Sequence, residues 1–193
     1  MSAAGAEPWL NIVGCLPGGR LAPTAPDGVL DAPAVFGAAR MLEAAGVQDA
    51  HRKPWPSPLS AGIDAIVDRR GEPTTVLASG DPLYHGVATT LLRALPAREV
   101  AVFPAPSALS LAAAALRWPL EKVRCISLHT APEASIVGHA APGRRLLALT
   151  RNGESPAKIA SALSECGYGD SAITVWSGWA GPMRRDGTQQ PRR

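Results

Sequence analysis

The sequence has few of the residues on which several common architectures depend. Its 193 residues include only three cysteines, which are widely spaced and form no CxxC pair, so neither a disulfide framework nor a zinc site is indicated. No apolar run approaches the roughly 18 residues of a membrane span. The N-terminus lacks the basic and apolar regions of a signal peptide. We therefore expect a cytoplasmic protein with no membrane partner and no metal.

The chain also has few charged residues. They make up 18% of it, the formal net charge is +3, and the last ten residues supply four arginines against one aspartate. The rest of the chain is therefore near neutral and has no clustered basic stretch, which argues against a nucleic-acid partner. Residues 184–193 are predicted to form a disordered basic tail.

What the sequence does contain is an alternation of short strands and helices. Strands are predicted at 9–14, 34–37, 75–78, 100–103, 125–129, 146–150 and 172–176. Helices are predicted between them at 38–45, 59–70, 87–95, 108–116 and 155–166. This pattern predicts an α/β fold with largely parallel pairing. Pro104-Ala105-Pro106 is the predicted hinge between an N-terminal lobe at 1–104 and a C-terminal lobe at 105–183.

A polar turn, Ser79-Gly80-Asp81-Pro82, separates the predicted strand at 75–78 from the helix at 87–95. In open α/β sheets, ligands bind at the carboxyl ends of strands, where such turns lie. Gly80 would let the backbone approach a ligand closely, and Asp81 could cap the helix or accept hydrogen bonds from a ligand. An ordinary strand-to-helix turn explains the same residues equally well at this point.

The first predicted strand ends in a glycine-rich loop, Gly14-Cys15-Leu16-Pro17-Gly18-Gly19. Its spacing matches neither GxGxxG nor a Walker loop, so neither a dinucleotide nor a Walker-type phosphate site is indicated. Cys15 is interpreted as a small buried apolar residue.

Several segments together resemble the tetrapyrrole (corrin/porphyrin) methyltransferase family, and within it the precorrin-6Y methylases that act at ring carbon 5. The resemblance runs from about 9 to 176. The segments that carry it most specifically are Leu-Ala-Ser-Gly-Asp-Pro-Leu-Tyr-His-Gly at 77–86, Pro-Trp-Pro-Ser-Pro-Leu at 54–59, and Pro-Ala-Pro-Ser at 104–107.

The resemblance implies a two-lobed tetrapyrrole methylase fold with mixed, largely parallel sheets. It also implies a homodimer that binds S-adenosyl-L-methionine in a cleft between the lobes. The residues that match the family's cofactor-binding positions are Ser79, Gly80, Asp81, Leu83, Tyr84, Ser107, Ala108, Leu149 and Thr150.

The implied substrate is a precorrin, a large polycarboxylate, and Gly14 matches a position beside it. Arg52 and Arg117 are the main candidates to bind its carboxylate groups, and Lys53 and Arg151 are further candidates. For each of them the alternative is a solvated surface charge. His85 is a candidate for a general base, and His129, which matches the family's Ser-Leu-His, is a candidate catalytic residue in contact with substrate. For His85 the alternative is a histidine at a helix start, and for His129 a buried, hydrogen-bonded one.

The first loop departs from the family pattern, in which a Gly-Ile-Gly-Glu-Asp-Gly type of sequence follows the first strand. Two alternatives stay open, and the departure supports the second of them. One is a methyltransferase of the same fold that acts on RNA or protein, and the other is a non-catalytic module that binds a tetrapyrrole or the cofactor. The resemblance also implies a partner domain that methylates carbon 15 and decarboxylates.

Overall fold

The computed structural model describes residues 7–177 and the backbone of 184–189. The chain divides into two compact units, 1–107 and 108–193. The boundary between them lies three residues beyond the predicted limit of the N-terminal lobe, just after the proline-rich segment.

The first unit is built on a five-stranded parallel sheet in the order β3-β2-β4-β1-β5. Because all five strands run in the same direction, their carboxyl ends meet at one edge, which we call the carboxyl edge. The strands are Leu10–Cys15 (β1), Ala34–Gly37 (β2), Arg52–Pro54 (β3), Thr74–Ser79 (β4) and Val100–Phe103 (β5).

Helices cover both faces of this sheet, so the core lies on both sides of it. The helices are Ala39–Ala44 (α1), Leu59–Val67 (α2) and Val87–Ala94 (α3). Side chains alternate along β1 because successive residues of a strand point to opposite faces. Leu10 and Ile12 join the core under α2 and α3, whereas Val13 and Cys15 join the core under α1.

The opposite edge of the sheet is held by a polar contact at the start of β5. Trp9 Nε1 donates to Glu99 Oε2 at 3.0 Å, and Arg70 Nε donates to the same oxygen at 2.7 Å. These hydrogen bonds, the one from Arg70 first, lower the pKa of Glu99 to about 2. The contact thus ties the starts of β1 and β5 to the residues that follow α2.

Replacing Glu99 by glutamine is expected to lower the melting temperature at pH 7. Because the folded pKa lies below that of an ordinary glutamate, the stabilisation is complete above pH about 4.5 and disappears as the pH falls towards 2. Calorimetry at pH 7 and pH 3 should therefore show the difference between wild type and variant shrinking in acid. Glu72→Gln is the matched control, since Glu72 pairs with Arg69 on the surface with 61% of its side chain exposed. A constant difference across this pH range would contradict the assignment.

The second unit holds a parallel pair of strands between two helices. Strands Val123–Ser127 (β6) and Arg145–Leu149 (β7) pair in parallel. Helix Ala108–Leu116 (α4) packs on one face through Leu147, and helix Ser155–Glu165 (α5) packs on the other.

A hairpin of Ile173–Ser177 (β8) and Arg184–Gln189 (β9) completes the second unit. The prediction of a disordered tail is therefore wrong for 184–189. A strand ladder is made by backbone groups, so arginine-rich sequence can join it when a partner strand is present. Residues 190–193 of the predicted tail lie outside the described residues.

No helix in the described part of the chain combines the length and apolar character that crossing a membrane requires.

Candidate functional site

The turn after β4 is shaped by its own side chain. Asp81 Oδ1 accepts a hydrogen bond from the Leu83 amide at 2.8 Å, and the Tyr84 amide donates to the Asp81 carbonyl at 3.2 Å. Gly80 has φ +66°, a value that favours glycine. Helix α3 begins later, at Val87, and no side chain caps it. Asp81 therefore fixes the turn rather than capping the helix, and its role as an acceptor of hydrogen bonds from a ligand stays a prediction.

Beyond Asp81 the turn exposes apolar side chains at the carboxyl edge of the sheet. Leu83 is 47% exposed and Tyr84 is 40% exposed. His85 is exposed, adopts φ +57°, and meets the Tyr84 ring edge-on with the ring centroids 4.9 Å apart. A left-handed conformation at a residue other than glycine is strained and is concentrated at functional sites. The predicted base His85 thus lies on the surface of this turn.

Gly14, at the end of β1, is enclosed by backbone from two other segments. A Cβ atom placed on it would lie 2.2 Å from the Gly80 carbonyl oxygen and 2.5 Å from the Ala105 nitrogen. Those two groups are hydrogen-bonded to each other at 3.2 Å, and the Gly80 amide donates to the Cys15 carbonyl at 3.0 Å. The absence of a side chain at Gly14 therefore lets the turn after β4 and the loop after β5 join over the end of β1.

This enclosure gives Gly14 a packing role that the prediction of substrate contact did not include. The glycine is buried within the first unit, and no side chain can be added without displacing backbone. Contact between Gly14 and substrate stays a prediction without structural support.

The unusual loop after β1 is a compact hairpin. The Leu16 amide donates to the Arg20 carbonyl at 2.8 Å, and Cys15 pairs with Leu21 in an antiparallel bridge. Gly19 has φ +79°, and a Cβ on it would lie 2.5 Å from the carbonyl carbon of Ala44 in α1. The loop therefore packs closely against α1, and its two central glycines are required by backbone geometry rather than by a phosphate.

Cys15 is expected to resist alkylation in the folded protein. Burial raises the pKa of its thiol to about 11, so the reactive thiolate is scarce at ordinary pH. Iodoacetamide at pH 8 should label the exposed Cys166 and reach Cys15 only after denaturant is added. Mass spectrometry of the peptides would show this, with Cys166→Ser as the control. Equal labelling of both cysteines in the native protein would contradict the prediction.

The second unit contains a cavity of about 380 Å³ along β7. Three residues predicted to bind the cofactor line it: Ala108 at the start of α4, and Leu149 and Thr150 at the end of β7. Tyr168 and Trp176 also line it, and the sequence did not identify them. Because only 5% of the chain is aromatic, its few large aromatic side chains were the signal from which these two residues could have been found. The volume falls in the range of small-molecule sites, roughly 300–1,000 Å³.

The remaining cofactor-binding candidates lie in the first unit. Ser79 ends β4 with its side chain exposed, and Ser107 follows the proline-rich segment and is partly exposed. Each lies in the segment that sequence reasoning gave it, Ser79 at the carboxyl end of β4 and Ser107 beyond that of β5.

His129 and Arg151 are joined in the loops that follow β6 and β7. Arg151 Nε donates to the His129 carbonyl at 2.9 Å, and Nη2 donates to the Ala131 carbonyl at 3.4 Å. The His129 side chain is exposed, which removes the buried-histidine alternative. The Arg151 guanidinium is used to fix these loops, which accounts for its position without a substrate.

Of the two arginines expected to hold substrate carboxylates, Arg52 has a structural role. Arg52 lies at the amino end of β3, away from the carboxyl edge. It donates from Nε to the Val47 carbonyl at 2.7 Å and pairs with Asp49 at 2.8 Å. Arg117 is exposed with φ +55° just after the last residue of α4, the opposite end from Ala108. A positive charge in the sequence does not specify the edge of the sheet it will face, and substrate binding by Arg52 and Arg117 stays a prediction.

Among the residues that the structure describes, no three His, Cys, Asp or Glu side chains come together as metal ligands.

Comparison with known proteins points to one family. The family model described as Tetrapyrrole (Corrin/Porphyrin) Methylases matches residues 10–184. A decarboxylating precorrin-6Y C(5,15)-methyltransferase of Sinorhizobium sp is 40% identical over 188 residues, which cover 95% of this chain and 45% of that protein. The cobalt-precorrin-7 C(5)-methyltransferase of Salmonella typhimurium is 33% identical over 101 residues, 51% of this chain and 50% of that protein. The chain thus spans about half the length of the relatives it matches.

The fold agrees with this comparison. The crystal structure of a precorrin-6Y methylase from Archaeoglobus fulgidus superimposes with a TM-score of 0.64 at 22% identity, covering 93% of this chain and 88% of that one. The prediction of an α/β fold of the tetrapyrrole methylase type, with largely parallel pairing, is confirmed. A match of the family model over nearly the whole chain, together with this fold, shows that the chain belongs to the tetrapyrrole (corrin/porphyrin) methylase family.

Proposed function

We propose that the chain transfers a methyl group from S-adenosyl-L-methionine to carbon 5 of a precorrin in cobalamin biosynthesis. The observation that carries the proposal is the 40% identity, over 95% of this chain, to a protein named for methylation of precorrin-6Y at carbons 5 and 15. The aligned relative from Salmonella typhimurium is named for carbon 5 alone. The shared segment is therefore assigned to carbon 5, and the activity at carbon 15 to a partner domain.

The cavity in the second unit fits the adenosine part of the cofactor. It is lined largely by small and aliphatic side chains, among them Ala108, Ala112 and Leu149, which suit a flat and weakly polar ring. Thr150 adds a hydroxyl group for orientation. We assign Ala108, Leu149 and Thr150 to the adenosine and keep Ser107 with them on the family resemblance.

The turn after β4 fits the charged methionine part. Gly80 brings the backbone close to the carboxyl edge, and Asp81 holds the turn through the Leu83 amide. Leu83 and Tyr84 are exposed there, and Ser79 immediately precedes Gly80. We assign these five residues to the methionine part.

The bound cofactor supplies a methyl group already activated on a sulfonium. Transfer forms the new C–C bond at carbon 5, breaks the C–S bond, and leaves S-adenosylhomocysteine. The residues of the chain then need to hold the methyl donor and the ring carbon in line, because orientation supplies much of the rate of such a transfer. His85 and His129 remain candidates to accept a proton from the macrocycle, and both side chains are exposed.

The proposal is tested by incubating the purified chain with a late precorrin and S-adenosylmethionine labelled in its methyl group. We expect one labelled methyl group in the macrocycle, at carbon 5 by NMR, and no loss of carbon dioxide. Cofactor binding without labelling would favour a non-catalytic binding module, and transfer to RNA or protein would favour the same-fold alternative. No binding of the cofactor at millimolar concentration would overturn both methyltransferase versions of the proposal.

The proposed assembly is a homodimer in the cytoplasm, on the family resemblance. Sedimentation equilibrium would test the dimer, for which a mass of 40 kDa, twice the 20.0 kDa of one chain, is expected.

A further inference from the structure

One polar side chain is completely buried in the described part of the second unit. Ser155, the first residue of α5, has no exposed surface. A serine at the start of a helix commonly caps that helix, but no side chain caps α5. The Ser155 hydroxyl instead donates to Glu133 Oε1 at 2.8 Å, which lies 22 residues earlier in the chain. The hydroxyl therefore joins two segments rather than starting a helix.

The two segments that this hydrogen bond joins are both walls of the cavity along β7. Glu133 begins the short helix Glu133–His139, in which Ile136 lines the cavity. Ser155 begins α5, in which Ile159 lines the cavity. Ile136 and Ile159 also belong to one buried apolar cluster. The bond between Glu133 and Ser155 therefore fixes how these two walls meet.

The loop at 150–154, between β7 and α5, is tied to the same bond. Asn152 Oδ1 accepts a hydrogen bond from the Glu154 amide at 3.1 Å and lies 3.3 Å from the Ser155 hydroxyl oxygen. Thr150, the first residue of the loop, lines the cavity. The polar contacts around Ser155 thus hold the loop that carries Thr150.

The Glu133 carboxylate is a strong acceptor for this purpose. The hydrogen bond from Ser155, more than any other contact, holds the pKa of Glu133 below that of an ordinary glutamate. The carboxylate is therefore ionised at neutral pH, and a hydrogen bond to an ionised group is stronger than one between neutral groups.

We propose that Glu133 and Ser155 are positioning residues for the adenosine part of the cofactor, because their hydrogen bond fixes the loop at 150–154 and with it Thr150. The inference rests on the proposed function, which assigns adenosine to this cavity. Neither side chain has to touch the ligand. A loop that is already held in place costs less to order when the ligand binds. Loss of the bond should therefore weaken every ligand that carries the adenosine, and by the same factor.

The test measures the affinities of Ser155→Ala and Glu133→Ala for S-adenosylhomocysteine and for 5′-methylthioadenosine, which carries the adenosine without the amino acid. By calorimetry we expect each variant to bind both ligands about fivefold more weakly than wild type. Because either change removes the same bond, the double variant should bind no more weakly than the single ones. Glu133 is half-buried, so Glu133→Ala is expected to fold and tests the role independently of the buried Ser155. Glu133→Gln keeps an oxygen that can accept from Ser155 and should bind within about twofold of wild type.

The matched control is Ser161→Ala, also in α5. Ser161 Oγ donates to Glu165 Oε1 at 2.8 Å, which is the same pair of residue types at the same distance, but neither residue lines the cavity. This variant should bind both ligands as wild type does. A merely structural role for Ser155 would lower the melting temperature of Ser155→Ala and leave the affinities of the folded protein unchanged.

The outcomes separate this inference from the proposed function. Wild-type affinity in Ser155→Ala or in Glu133→Ala, or an equal loss in Ser161→Ala, overturns the positioning role and leaves the proposed function intact. Weaker binding of S-adenosylhomocysteine alone also overturns it, because the bond would then act on the methionine part. If wild type itself does not bind S-adenosylhomocysteine, the proposed function fails and the positioning role fails with it.

Discussion

Replacing Gly14 by alanine is expected to destabilise the first unit severely. The new methyl group would lie 2.2 Å from the Gly80 carbonyl oxygen and 2.5 Å from the Ala105 nitrogen. Both contacts are with backbone, so neither can be relieved by rotating a side chain. Relief requires moving the turn after β4 or the loop after β5 and breaking the hydrogen bond between them. We expect a loss of about 3 kcal/mol in the free energy of unfolding, measured by urea denaturation.

Gly153→Ala is the matched control for this prediction. A Cβ on Gly153 would meet nothing within 4 Å, and its φ is not in the left-handed region. The change should therefore alter stability by less than about 0.5 kcal/mol. A Gly14→Ala protein as stable as the Gly153→Ala protein would show that the three segments do not meet as described. Such a result would also support the prediction that Gly14 contacts substrate.

The bounds of several elements could be predicted because the local chemistry is unambiguous. Strand β5 and helix α4 occur at 100–103 and 108–116, as predicted, because prolines and a change of hydrophobic period mark both their ends. The Ser-Gly-Asp-Pro turn could also be placed, because glycine and aspartate have specific backbone roles in turns.

Two strands could not be predicted, and both were missed for the same physical reason. Strand β3 ends at Pro54 and is followed by prolines at 56 and 58, and such a run favours irregular structure. The strand forms nevertheless because it lies at the edge of the sheet, where a strand pairs on one side only and proline is tolerated. Strand β9 likewise depends on a partner, β8, rather than on its own arginine-rich sequence. Pairing with another strand decided both cases.

The candidate site, like the fold, could be predicted only in part. The cavity collects Ala108, Leu149 and Thr150, as their family positions implied. The enclosure of Gly14 depends on Gly80 and Ala105, which are distant along the chain, so no local pattern could reveal it. The predictions for Arg52 and Arg117 rested on charge alone. Charge shows that a side chain prefers water or an ion pair, but the topology decides which edge of the sheet it reaches.

Replacing Asp81 by alanine is expected to weaken cofactor binding strongly while leaving the fold intact. The carboxylate accepts from the Leu83 amide at 2.8 Å, and this bond fixes the direction in which Leu83 and Tyr84 leave the carboxyl edge. The turn lies on the surface, so its loss should change stability little. Without the acceptor the turn samples other conformations, and the affinity for S-adenosylmethionine should fall by roughly ten- to a hundredfold, measured by calorimetry.

The control is Asp81→Asn, which separates the shape of the turn from the charge of the carboxylate. Asparagine keeps an oxygen that can accept from the Leu83 amide and favours the same turn, but it carries no charge. If Asp81 acts by holding the turn, Asp81→Asn should bind the cofactor within about threefold of wild type, a difference of less than 1 kcal/mol. Loss of binding in both variants would instead place the carboxylate in direct contact with the positively charged methionine part. If Asp81→Ala bound the cofactor with wild-type affinity, the turn would not be part of the cofactor site, because loss of the hydrogen bond that shapes the turn would then have no effect on binding.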